Sequence, residues 1–374
     1  MAAATLCLAA LALAAPLKVS AQYSLNKTYS GDGFFNDWDF YGHWDNLTNG
    51  DIDYVNRTDS QDLAYVNSAG NAVIKVDNSS TVLYPNKRRS VRISSTEQWG
   101  IGSLWVFDMV HVPHGCSVWP SAWVTSSDWP TGGEIDIYEA VNLQTTNQMA
   151  LHTTSGCTVS NSSSSDWTGI MTYGNCDTTA NFNSGCTFRD TRETSNGAAF
   201  AQNGGGVFAG ELTKDGVSIW FFPRPSVPSD LSSSSESPDP TSWGKPVAYY
   251  PASSCDVSNH FGTQQIVLTI TACGDWAGQV TNSTGCPLTT DSCCTSANYD
   301  QAYFEIPSIR VYSNPNLTAP VVSTSTNKTS SSSSSSSSSN KTSGGRGSAT
   351  ERPVLAALLS VAALAIGASF SFSA

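Results

Sequence analysis

The chain has 374 residues, with 18 basic against 30 acidic side chains and a formal net charge of -12. So acidic and so sparsely charged a composition argues against nucleic acid or anionic lipid as a partner and suits an uncharged polymer such as a polysaccharide. Ten cysteines fit an oxidising compartment, where they pair, better than the cytosol.

In chain order, residues 1–21 have the form of a secretory leader. The apolar run TLCLAALALAA (5–15) is too short to span a bilayer, and Val19-Ser20-Ala21 supplies the small residues of a cleavage site, though the charged n-region is missing. Residues 22–320 then form one domain, long for two small ones and ordinary for a single all-β sandwich. Ser90-Val91-Arg92-Ile93-Ser94 alternates as a half-buried strand should, and LWVFDMVHV (104–112) suits a strand covered on both faces. Residues 206–223 have the pattern of a hairpin about Lys214-Asp215-Gly216, an Asp-Gly turn in which glycine accepts positive φ. Ile266, Leu268 and Ile270 line one strand face, and Ser308-Ile309-Arg310-Val311-Tyr312 alternates again. No helix is predicted. The sum is an all-β antiparallel sandwich.

Cys7 leaves with the leader. The remaining nine (Cys116, Cys157, Cys176, Cys186, Cys255, Cys273, Cys286, Cys293 and Cys294) lack the paired Cys-x-x-Cys spacing of a zinc site and are expected to form disulfides, with one of the adjacent pair Cys293 and Cys294 left over. Nine Asn-x-Ser/Thr sequons, Asn26, Asn46, Asn56, Asn78, Asn161, Asn282, Asn316, Asn327 and Asn340, fit the same secretory route. Residues 321–349, with unbroken serine from Ser330 to Ser339, cannot bury enough apolar surface to fold and predict a glycosylated stalk. Residues 350–374 carry the apolar run 353–370 with no basic residue after it. With small residues near Ser343 upstream, that is the order of a GPI-attachment signal, removed in the mature protein. A cell-surface or cell-wall location follows, tied to the membrane through lipid.

The chemistry lies in Gly132-Gly133-Glu134-Ile135-Asp136-Ile137-Tyr138-Glu139-Ala140. On a regular strand Glu134 and Asp136 share a face and Glu139 points away; one bulged residue near Ile137 or Tyr138 restores it. The two glutamates are then about 13 Å apart at Cα, and side chains each leaning inward by roughly 4 Å leave the separation of about 5 Å that suits a retaining glycosidase. Crowding keeps one carboxyl protonated as the acid. A calcium loop would instead alternate Asn, Asp and Gly in a polar segment.

This segment resembles the active-site signature of glycoside hydrolase family 16 in its bulged form, Glu-x-Asp-x-x-Glu, typical of laminarinases and endo-1,3(4)-β-glucanases. The resemblance covers about residues 23–313, through HGCSVWPSAW (114–123), DWPTGGEIDIYEAVN (128–142), MALHTT (149–154), WFFPRP (220–225) and CGDWAGQ (273–279). It implies a concanavalin-like β-jelly roll of two antiparallel sheets with a concave cleft. It also implies Glu134 as nucleophile, Asp136 as its assistant, Glu139 as acid/base and His152 beside them. Trp123, Trp129 and Trp276 match positions that line the glucan cleft, since sugar C–H faces stack on indoles, and Arg92 faces either the cleft or solvent. Trp105, Trp119 and Trp220 are assigned to the core. The short, weakly acidic VTSSD segment (124–128) and the odd cysteine depart from the pattern. No organic cofactor is implied. Calcium occurs in parts of the family, but no clear ligand set stands here.

The expected activity is endo-hydrolysis of β-1,3-glucan, or of mixed 1,3;1,4 chains, by a monomer without nucleic acid. A cell-wall transglycosylase would use the same residues. A non-catalytic glucan-binding wall protein would lack one acid, and a structural mannoprotein leaves GGEIDIYEA unexplained.

Overall fold

Strands with one apolar face have few ways to remove it from water, and here they stack two antiparallel sheets against each other. The computed structural model describes residues 23–161, 165–232, 235–287 and 299–318. The leader, the Ser-rich stretch, the C-terminal apolar run, and Cys293 and Cys294 lie outside the described residues.

In chain order the first strands are β1 (Ser24–Ser30), β2 (Trp38–Phe40), β3 (Ile52–Tyr54), β4 (Ala64–Val66), β5 (Ala72–Lys75), β6 (Arg88–Ser90) and β7 (Arg92–Ser95). There follow β8 (Ser103–Met109), β9 (Val118–Thr125), β10 (Glu134–Glu139), β11 (Gln148–His152), β12 (Ile170–Tyr173) and β13 (Cys186–Arg189). The last are β14 (Gly206–Thr213), β15 (Gly216–Pro223), β16 (Ala248–Pro251), β17 (Gln265–Ala272), β18 (Tyr303–Ile306) and β19 (Ser308–Ser313). The front sheet runs β12-β13-β11-β10-β9-β17-β7-β2 and the back sheet β1-β19-β8-β14-β15-β16. Smaller sheets β18-β5-β4 and β3-β6 sit beside them.

Between the sheets, Phe107, Phe208 and Phe221 from behind meet Ile135, Ile137, Tyr138, Leu268 and Ile270 from the front, all buried. The back sheet is also covered on its outer face, where Leu104, Val106, Val207, Trp220 and Tyr312 form a second buried cluster with Tyr23 and Leu231. The strand within 104–112 is therefore apolar on both sides, as its run requires, and Trp105 and Trp220 are core residues. Of the two large sheets, among the described residues, the front one keeps a free face for polar groups.

Three local expectations change. The alternating stretch 90–94 divides at Val91: β6 pairs in parallel with β3, and β7 enters the front sheet. Arg310 alternates on paper yet is 3% exposed, because the segment covering the back sheet offers the Leu231 and Ser232 carbonyls, each 2.6 Å from its guanidinium. Such bonds are what make burying that charge tolerable. Short helices also occur: α1 (Gly197–Gln202), α2 (Val257–His260) and α3 (Gly274–Ala277), too brief to leave a helical period in the sequence. The hairpin is as expected, with Thr213 opposite Gly216 and Gly216 at φ 146°.

Disulfides join Cys116–Cys286, Cys157–Cys255 and Cys176–Cys186, and Cys273 is also disulfide-bonded.

Gly210 on β14 faces the front sheet, and a Cβ there would lie 2.6 Å from Ile137 Cδ1. Gly210→Ala should cost about 1–3 kcal/mol through overpacking, read as a lower urea midpoint at unchanged m. An unchanged midpoint would show that Ile137 can yield.

Candidate active site

Strand β10 opens from two glycines with no room for a side chain. A Cβ on Gly133 (φ 73°) would stand 2.5 Å from the His260 carbonyl oxygen, and one on Gly132 would stand inside contact with the Ser126 hydroxyl. Glu134 follows, opposite Thr125 on β9 and His152 on β11. Asp136 is opposite Trp123 and Ala150, whereas Glu139 is opposite Ser121 and Gln148. Three steps on β10 therefore match two on each neighbour, which is the predicted bulge. Ile137 and Tyr138 both turn into the core, and Glu139 returns to the face of Glu134 and Asp136.

The bulge would leave backbone groups unpaired, at about 1–3 kcal/mol each if buried without a partner. Asn147, wholly buried, spans it: its side-chain nitrogen donates to the Ile137 carbonyl at 3.0 Å and its oxygen accepts from the Glu139 N–H at 2.9 Å. Tyr138 is held by donating to Asn196 Oδ1 at 2.7 Å. Sequence reasoning did not single out Asn147 or Asn196, because neither carries a motif.

Glu134 Oε2 accepts from the Trp129 indole at 2.5 Å. Glu139 Oε1 accepts from Trp119 at 2.8 Å and from the Ser121 hydroxyl at 3.3 Å. Trp119 is thus a cleft residue, correcting its core assignment: β9 places it on the same face as Ser121 and Trp123, two steps apart along the strand. Trp276 sits in α3 and meets Trp119 edge to face at 5.5 Å, so it too lies beside Glu139. Arg92 takes the cleft side, its guanidinium 5.0 Å from the Trp123 ring centre. Trp129 is 46% exposed and free to meet a ligand.

His152 Nε2 stands 3.3 Å from Asp136 Oδ2, and Nδ1 faces Asn183 Oδ1 at 3.2 Å. An imidazolium offers an N–H toward each of these oxygens. Burial works against that charge, but Asp136, Glu134 and Glu139 outweigh it and raise the ring pKa to about 10. Burial raises Glu134, and the His152 charge pulls it partly back. Glu139 is raised by burial and then by the Asp136 charge, Asp136 by burial and then by Glu134. Among the described residues Glu134, Asp136 and His152 are the set with donor atoms, all within 4.8 Å of one another, that could hold a cation. A metal needs a neutral imidazole, so a shared proton network suits these groups better. Chemically, the face offers one carboxylate steadied by cationic and N–H neighbours, and one carboxyl inclined to stay protonated.

The family model for the XgeA-like catalytic domain of glycoside hydrolase family 16 matches residues 38–312. A probable endo-1,3(4)-beta-glucanase of Neosartorya fischeri is 40% identical over 280 residues, covering 71% of this chain and 42% of that protein. The chain spans less than two thirds of the length of the curated relatives it matches. Among solved structures, laminarinase 16A of Phanerochaete chrysosporium, with 6-O-glucosyl-laminaritriose in donor and acceptor sites, is 35% identical with a TM-score of 0.74, covering 78% of this chain and 99% of that one. An elongating family 16 β-1,3-glucosyltransferase is also 35% identical, with a TM-score of 0.72 and coverage of 78% and 100%.

The His152 ring should remain an imidazolium at pH 8, and Asp136→Asn, by removing its nearest negative partner, should lower the titration midpoint from about 10. Ring-nitrogen NMR shifts report the state directly. A neutral ring at pH 8 would contradict the network.

Proposed function

The chain belongs to glycoside hydrolase family 16, in its XgeA-like group, and from that premise we propose that it is a retaining endo-β-1,3-glucanase. The observation that carries the reading is the β10 bulge, which turns Glu134, Asp136 and Glu139 onto one open face. Glu134 attacks the anomeric carbon. Its N–H partner Trp129 and the nearby His152 charge favour the carboxylate it needs. Glu139, kept protonated by burial and by Asp136, gives its proton to the departing glycosidic oxygen. Trp119 and Ser121 hold one of its oxygens and leave the other for that transfer. The covalent glycosyl-enzyme then yields to water deprotonated by Glu139, with retention at the anomeric carbon. Asp136 positions the pair through His152. Two carboxyls and water suffice, so the reaction draws on no cofactor.

A second reading is glucan transfer, in which a sugar hydroxyl replaces water. It is favoured by the aromatic pair Trp119–Trp276 on the side of Glu139, where a leaving chain and an incoming acceptor would both lie. The likeness to the elongating glucosyltransferase equals that to the laminarinase in identity.

Mixed-linkage cleavage, action as a monomer, and residence at the cell surface on a GPI lipid are parts of the same proposal. The last is supported by the leader, the serine stalk and the apolar C-terminal run, and by disulfides that fit an oxidising compartment.

The wild type should shorten laminarin, and Glu134→Ser should lose at least 10³-fold in rate, because no nucleophile remains to form the intermediate. Product sizing over time reads the outcome: products longer than the starting oligomer would move the case to transfer. Binding without any size change would leave a glucan-binding wall protein. Separately, phosphatidylinositol-specific phospholipase C should release the full-length protein from membranes; retention in the membrane fraction would refute the anchor.

A further inference from the structure

The front sheet carries aromatic side chains past the catalytic strand. From β10 the order β9-β17-β7-β2 leads to the sheet edge, about 19 Å at ordinary strand spacing. Arg92 joins the steps, with its guanidinium 5.0 Å from the Trp123 ring centre and 5.5 Å from that of Tyr41. Beyond β2 the row continues: Tyr41 meets His43 at 6.1 Å and His43 meets Trp44 at 5.6 Å. Tyr41 is 36% and Trp44 44% exposed.

Trp44 ends the row in an open cavity of about 670 Å³, lined also by Asp53, Pro85, Asn86 and Lys87. The site is built rather than loose. Trp44 is bridged through its backbone to Asp53. The next residue, Asp45, is 1% exposed and accepts from Thr271 of β17 at 2.6 Å, which ties this loop to the front sheet. Lys87 donates to the Gly50 carbonyl at 2.6 Å and holds its ammonium 5.5 Å from the Trp44 ring centre. A half-exposed flat ring with an ammonium over it and a carboxylate and an amide nearby is the chemistry that recognises a pyranose, through C–H groups on the open indole surface and hydroxyls on the polar groups.

We propose that Trp44, with Asp53, Asn86 and Lys87, forms a distal β-glucan subsite beyond the β2 edge, continuous with the catalytic cleft through Tyr41, Arg92 and Trp123. The proposal rests on the glucanase reading and deepens it. Chains long enough to leave the cleft over β2 gain a further stacked residue, and short ones do not. The shelf therefore makes the enzyme prefer polymer to oligosaccharide.

The test compares wild type with Trp44→Ala on polymeric laminarin and on a β-1,3-linked tetrasaccharide. Loss of one aromatic contact should lower kcat/KM on the polymer about three- to tenfold, mainly through KM, and leave the tetrasaccharide unchanged. Equal losses on both would make Trp44 a structural support for Tyr41 and overturn the proposal, as would no loss on either. Binding to insoluble β-1,3-glucan by Glu134→Ser, with and without Trp44→Ala, separates the two readings. If the wild type cleaves nothing, the glucanase reading fails, while weaker binding of the double variant still supports the shelf and equal binding still overturns it.

Discussion

Everything chemical about this protein hangs on one extra residue in β10. A strand shows alternate faces, so three acids spaced two and then three apart cannot share a side unless the strand yields. It yields between Asp136 and Glu139, and Ile137 and Tyr138 both go inward. That is tolerable because the interior was prepared for it: Gly210 leaves a space where Ile137 lands, Asn196 receives the Tyr138 hydroxyl, and Asn147 pairs with both interrupted backbone groups. The back sheet thus has a part in the chemistry at a distance, by deciding what the front sheet is able to bury.

The second constraint is charge. Three carboxyls in one place resist ionising together, and their burial adds to the resistance. Here each is given a different neighbour. Trp129 donates to Glu134, Trp119 and Ser121 donate to Glu139, and Asp136 faces the ring of His152. Environment, rather than residue type, thus gives chemically alike groups different proton affinities. His152 is central because a charge on its ring pulls against the burial that raises Glu134, Asp136 and Glu139, and Asn183 faces the ring's other nitrogen.

The third is the asymmetry of the sandwich. The outer face of the back sheet is buried under residues that include Leu231 and Trp243, so of the two large sheets the front one carries the cluster of acids. Along that front face Trp119 and Trp123 stand on β9 and Arg92 on β7, with β17 between them and Trp276 in α3 beside Trp119, and a chain lying across the strands would meet them in succession. The three acids and the cleft aromatics Trp119 and Trp123 share one surface because strand order, not sequence order, sets their neighbours.

The sequence by itself determined the two-sheet class, the hairpin at 206–223, the doubly covered strand within 104–112, and the need for a bulge at Ile137 or Tyr138. All of these follow from local periodicity or from the spacing of acids on one strand, which are properties of a short segment. Only the tertiary structure decided that Trp119 serves Glu139 and not the core, that Arg92 faces the cleft, that Arg310 is covered, and that 90–94 is two strands. It also supplied Asn147, Asn196, Asn183 and Trp44, none of which carries a motif. The physical reason is common to them all. Whether a tryptophan packs, donates or stacks, and whether a guanidinium is solvated or enclosed, depends on what residues far along the chain place beside it, and a single segment does not contain that information.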